Sequence, residues 1–84
     1  METPARVRVY TKPGCHLCDE AKREIERADC ASLYTLEEVN IEDNAELTRR
    51  YGWDIPVVTI NDRVAFKHRL TAAEFARQLR LLSS

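Results

Sequence analysis

One junction constrains this chain more than any other. A strand-like run breaks at Pro13-Gly14 and passes at once into a helix that opens with Cys15 and Cys18. Arg6-Val7-Arg8-Val9-Tyr10 alternates polar and apolar residues and includes β-branched ones, the pattern of a strand. Thr11-Lys12-Pro13-Gly14 is loop chemistry. From Cys15 to about Ala28 the apolar residues Leu17, Ala21, Ile25 and Ala28 recur at helical spacing. Asp19, Glu20, Lys22, Arg23, Glu26 and Arg27 supply the solvated face. A strand feeding a helix in this way calls for a return strand parallel to the first, through a right-handed crossover.

The remaining elements follow in order. Tyr34 to Ile41 is predicted as that second strand, with Leu36, Val39 and Ile41 as its apolar members. Asp43 and Glu46 have the spacing of a capping box, opening a short helix that runs to about Tyr51 and stops at Gly52. Ile55-Pro56-Val57-Val58-Thr59-Ile60 reads as a buried strand. Asn61-Asp62 is turn chemistry, and Arg63 to Lys67 returns as the hairpin partner. Thr71 and Glu74 form a second capping box, with Leu70 and Phe75 as its hydrophobic staple. The helix that follows carries Ala72, Phe75, Ala76, Leu79 and Leu82 on one face. The order β-α-β-α-β-β-α predicts an α/β fold: a four-stranded mixed sheet flanked by three helices.

With 84 residues the chain has room for one domain, 1–84, and 44% apolar composition suffices for its core. A chain of this size buries roughly 60–65% of its unfolded surface. Thirteen basic and 14 acidic residues leave a formal charge of −1, which excludes a bulk electrostatic pull toward nucleic acid or anionic lipid. Met1 to Tyr10 lacks the apolar stretch of a signal peptide, and the apolar runs fall far short of the roughly 20 residues of a membrane span. The expected compartment is therefore the cytoplasm. Three cysteines there point to catalysis or metal binding and not to a disulfide scaffold.

Cysteines at i and i+3 on a helix share a face, one turn apart. Their α-carbons then fall near the range of about 4.4–6.8 Å that a disulfide requires. At the helix start, unpaired N–H groups and the positive end of the dipole favour a thiolate on Cys15, and Lys12 adds a nearby positive charge. Cys18, a turn deeper, keeps a higher pKa. Cys15 thus suits attack on a disulfide and Cys18 suits release of the resulting mixed disulfide. His16 is a candidate for tuning Cys15. A zinc site needs two further donors, and only Cys30, His16 and His68 are at hand, with no second pair at suitable spacing. No metal is expected.

Val7 to Cys18, ending in Lys12-Pro13-Gly14-Cys15-His16-Leu17-Cys18, resembles the strand-loop-helix opening of the glutaredoxins. Trp53-Asp54-Ile55-Pro56-Val57-Val58 resembles their second hallmark, a cis-proline loop facing the cysteines. The resemblance covers nearly the whole chain and is closest to small bacterial glutaredoxin-like proteins with a Cys-His-Leu-Cys site. It implies a thioredoxin fold, with Cys15 as nucleophile and Cys18 as resolving cysteine. It also implies a cis bond before Pro56, which turns the Ile55 backbone toward substrate or glutathione, and Lys12 beside the nucleophile or a glutathione carboxylate. The chain departs from the family in two places. His16 and Leu17 replace the usual Pro-Tyr, and Ala65-Phe66-Lys67-His68-Arg69 contains none of the Gly-Gly that lets glutathione approach the backbone. The charge left there for an anionic tail is that of Lys67, His68 and Arg69.

The reading is a thiol–disulfide oxidoreductase with a Cys15/Cys18 dithiol cycle and no bound cofactor, acting on protein disulfides or glutathione mixed disulfides. Its electron donor is glutathione or a reductase such as thioredoxin reductase. A redox-sensing or adaptor module without turnover is the alternative. A monomer is expected. Trp53 either covers the disulfide and meets substrate or packs beside Tyr51, and Cys30 reads as a half-buried spectator thiol.

Overall fold

The computed structural model describes residues 3–83; Met1, Glu2 and Ser84 of the expected 1–84 domain lie outside the described residues. The elements are β1 (Ala5–Thr11), α1 (His16–Arg27), β2 (Tyr34–Asn40), α2 (Ala45–Tyr51), β3 (Val57–Ile60), β4 (Arg63–Lys67) and α3 (Ala72–Ser83). Short 3-10 turns at Ala31–Leu33 and Ile41–Asp43 precede β2 and α2. The strand order is β2-β1-β3-β4, with β1 and β2 parallel and the other pairs antiparallel. This is the α/β architecture that the element order predicts.

The register decides what each face of the sheet buries. Val7 lies opposite Ile60 and Val9 opposite Val58, so these four side chains share one face. There they pack with Ala21 and Ile25 of α1 and with Phe75 and Leu79 of α3. On the opposite face Tyr10 lies opposite Val57, and a smaller cluster of Ile41, Tyr51 and Val57 is covered by α2. All four β3 residues are buried, the polar Thr59 among them, which is why that segment does not alternate apolar with charged residues. No helix among the described residues is long and apolar enough to cross a membrane.

Three expectations are corrected in detail. The cap of α2 is Asn44, whose Oδ1 accepts from the N–H groups of Glu46 (2.9 Å) and Leu47 (3.1 Å). Asp43 closes the preceding 3-10 turn, so the extended backbone that a cap needs first occurs at Asn44, φ −148° and ψ 117°. β2 ends at Asn40, and Ile41 enters the core from the following turn. Leu36, expected as an apolar member, is 45% exposed because β2 is an edge strand. Gly52 ends α2 in right-handed backbone, φ −53°. Its requirement is space: a Cβ there would lie 2.5 Å from the Thr48 carbonyl oxygen.

The hairpin is tied in at both ends. Asn61 and Asp62 both have positive φ, 51° and 69°, as a two-residue hairpin turn of the favoured twist requires. Asn61 exchanges hydrogen bonds with the Arg6 backbone, through its own N–H and its Oδ1 (2.8 Å each), and its Nδ2 donates to Leu82 O (3.1 Å). At α3, Thr71 Oγ1 accepts from Glu74 N–H (3.2 Å) and donates to Glu74 Oε1 (2.9 Å), while Leu70 and Phe75 are both buried as a staple.

A disulfide at the start of the first helix

The loop after β1 delivers Cys15 to the cap position of α1. Gly14 takes φ +79°, a backbone conformation that side chains disfavour, with open space around it. Cys15 N–H then donates to Lys12 O (3.3 Å), and Asp19 N–H donates to Cys15 O (3.3 Å) as the first helical bond. A cap residue normally offers a side-chain oxygen to the free amides of the first turn. Here the Cys15 Sγ takes that place and accepts from the Cys18 N–H at 3.2 Å.

Cys15 and Cys18 are joined by a disulfide, their α-carbons 5.3 Å apart. Their exposure differs: Cys15 is half-buried, whereas Cys18 is 1% exposed beneath the first turn. An incoming group therefore meets Cys15 first. His16 projects to solvent with its side chain 80% exposed, its Nε2 3.5 Å from Glu20 Oε1. Lys22 bridges Asp19 (3.5 Å) and Glu38 (3.0 Å), which joins α1 to the edge strand, and its pKa is raised chiefly by the hydrogen bond to Glu38. Among the described residues no group of three or more His, Cys, Asp or Glu side chains could hold a metal ion.

The Ile55–Pro56 peptide is cis, and Pro56 is fully buried at the head of β3. Its loop is pinned from β4. The His68 N–H donates to both Asp54 O (3.2 Å) and Pro56 O (2.9 Å), straddling Ile55. The Asp54 carboxylate adds Lys67 Nζ (3.4 Å) and His68 Nε2 (3.7 Å). His68 itself takes left-handed backbone, φ +70°, in the stretch where the resemblance leads one to look for glycine. Sequence reasoning missed Asp54. The signal available was an acidic residue beside the proline loop, facing a basic triplet at the far end of the hairpin.

Trp53 does not pack beside Tyr51. Tyr51 stacks on Tyr10, ring centroids 4.7 Å apart, with the Arg50 guanidinium 5.5 Å above it. The indole is left 93% exposed. It borders a hollow of about 280 Å³ shared with Lys12, Ile41, Glu42, Thr48 and Gly52. Lys12 also borders a second hollow with Pro13, Gly14 and Glu38. Cys30 is half-buried, its Sγ 3.2 Å from Ala28 O.

The Glutaredoxin-like domain family (DUF836) matches residues 6–80, and the chain belongs to it. A curated relative, the glutaredoxin-like YDR286C homologue of Dictyostelium discoideum, is 34% identical over 70 residues. That match takes in 76% of this chain and 65% of the relative, so the chain spans under two thirds of that protein's length. Among solved structures, the Nitrosomonas europaea protein Ne2328 superposes with a TM-score of 0.77 at 29% identity, covering 93% of this chain and 94% of its own. The protein XcR50 from X. campestris gives 0.73 at 24%, covering 89% of this chain and 96% of its own. A malaria-parasite thioredoxin-2 gives 0.68 at 15%, covering 96% and 85%, which places this chain in the thioredoxin fold.

Proposed function

We propose that the protein is a thiol–disulfide oxidoreductase that reduces protein disulfides through a Cys15/Cys18 dithiol cycle. One observation carries the reading: a disulfide capping a helix, with one sulfur accessible and the other buried. In the reduced protein the Cys15 thiolate attacks a substrate disulfide, forming a Cys15–substrate bond and expelling one substrate thiolate. Cys18 then loses its proton and attacks Cys15 Sγ, which breaks that bond and releases the second thiolate. The substrate gains two electrons and two protons, and the Cys15–Cys18 disulfide is left for an external donor to reduce.

Other residues take supporting roles in this reading. The N–H and C=O of Ile55, beside Pro56, have no hydrogen-bond partner among the described residues and suit an extended peptide. Lys12 contributes positive charge near the developing thiolate, and His16 is close enough in sequence to tune it. The reducing cytoplasm fits a pair that must be returned to thiols in each cycle.

The test equilibrates the protein in glutathione buffers of stepped ratio, quenches with acid, alkylates and weighs. A reversible two-electron transition confined to Cys15 and Cys18, with Cys30 alkylated throughout, supports the dithiol enzyme. A pair that stays reduced, or forms only stable glutathione adducts, overturns it. Multiple turnover on insulin disulfides with dithiothreitol separates an enzyme from an adaptor, which oxidises only stoichiometrically.

A further inference from the structure

The loop that carries Ile55 is held from two sides. Toward α2, Asp54 N–H donates to Tyr51 O (2.8 Å), and the Ile55 side chain packs against the cluster of Ile41, Tyr51 and Val57. Toward β4, a single amide serves two carbonyls: His68 N–H is shared between Asp54 O (3.2 Å) and Pro56 O (2.9 Å). Two acceptors cannot both lie in line with one N–H, so neither bond is at full strength. His68 also takes left-handed backbone, φ +70°, which a side chain disfavours and glycine takes freely. What its imidazole adds is a contact: Nε2 lies 3.7 Å from Asp54 Oδ1, while Lys67 Nζ lies 3.4 Å from Asp54 Oδ2. One half-buried carboxylate therefore draws both side chains at the end of the hairpin onto the loop.

We infer that Asp54 is a positioning residue for dithiol exchange with polypeptides: through Lys67 and His68 it fixes the Ile55 backbone, the pairing edge for an extended segment beside a substrate disulfide. This rests on the disulfide-reductase reading above. Ile55 lies outside the sheet, β3 beginning at Val57, so no ladder keeps its edge in register. Pairing through both its N–H and its C=O needs those groups held in one orientation before substrate arrives. A loop that must be ordered on binding subtracts that ordering from the affinity. The described contacts of the Asp54 carboxylate are with Lys67 and His68 and not with Cys15 or Cys18. Its effect is therefore confined to substrates that have a peptide backbone to pair.

The experiment follows single-turnover oxidation of the reduced full chain by insulin and by bis(2-hydroxyethyl) disulfide, which carries no peptide backbone. Samples are quenched with acid, alkylated and weighed. In both reactions the substrate disulfide breaks, the Cys15–Cys18 bond forms, and two electrons and two protons pass to the substrate, which leaves as two thiols. Asp54→Ala should raise the insulin concentration for half-maximal rate about three- to fivefold, the scale of an exposed ion pair. The maximal rate with insulin and the second-order rate with the small disulfide should move less than about twofold. His68→Gly relieves the left-handed backbone while removing the imidazole. Its urea midpoint should not fall, yet its half-saturation by insulin should still rise at least about twofold. A merely structural role for Asp54 would lower the urea midpoint and slow both substrates alike. An unchanged insulin half-saturation in both variants, or an equal change with the small disulfide, overturns the inference. Absence of multiple turnover on insulin with dithiothreitol would fail the enzyme reading instead, while the single-turnover comparison still decides the role of Asp54.

Discussion

The backbone N–H of Cys18 lies 3.2 Å from the Sγ of Cys15, so the buried cysteine's own amide holds the accessible cysteine's sulfur at the helix cap. In the reduced protein that donor, with the positive end of α1, favours charge on Cys15. Alkylation of Cys15 should therefore reach half its maximal rate at lower pH than that of Cys18, and below the value of about 8.5 for a free thiol. Mass-resolved alkylation across a pH series reads both. Cys15→Ser should abolish insulin reduction, and Cys18→Ser should accumulate a mixed disulfide on Cys15.

Trp53 is the most exposed large apolar side chain described and stands two residues before Ile55. Trp53→Ala should leave stability within about 0.5 kcal/mol, as a surface change without packed neighbours. It should raise KM for a protein disulfide about tenfold, the scale of a lost interface tryptophan. Reduction of the oxidised protein by dithiothreitol should not change. A shifted urea midpoint would instead assign the indole a structural role.

Phe75 is the largest fully buried side chain described and meets Tyr34 edge-on, centroids 5.5 Å apart. Phe75→Ala should cost about 3–5 kcal/mol in urea unfolding. Domains of this kind are stable by only about 5–15 kcal/mol in total, so the variant should be partly unfolded at 37 °C.

Tyr34 carries a pKa raised above its ordinary value by burial first, then by Cys30 and Glu26. The folded state thus holds the phenol proton more tightly than the unfolded chain does. Stability from this group is complete below about pH 10 and is lost as pH rises through the folded value. Thermal melts between pH 9 and 11.5 should fall less steeply for Tyr34→Phe than for the wild type.

The elements were legible because each carries local chemistry. Alternation gave β1, the 3.6 period gave α1 and α3, and Asn61-Asp62 gave the hairpin, since its two positive φ values suit Asn and Asp. The cysteine pair was legible for the same reason, two thiols one turn apart on a helix that its own loop starts. Errors fell where two local signals compete. Asp43 and Asn44 can each cap a helix, and only the 3-10 turn ending at Asp43 assigns the cap to Asn44. Leu36 has the right residue type for a core strand, yet nothing local says that β2 lies at the edge.

What the sequence determined by itself is short-range: which segments extend, which coil, and that Cys15 and Cys18 can bond. The contacts that position the rest join residues far apart in the chain. Asp54 meets Lys67 and His68 across the hairpin, and Glu24 reaches the Ala72 amide 48 residues away. Burial of Cys18 under the first turn and exposure of Trp53 depend likewise on how helices seat against the sheet. Such pairings have no periodic signature, because each depends on where packing brings two backbones together. The tertiary structure alone therefore decided which cysteine faces solvent and which distant charges and amides meet.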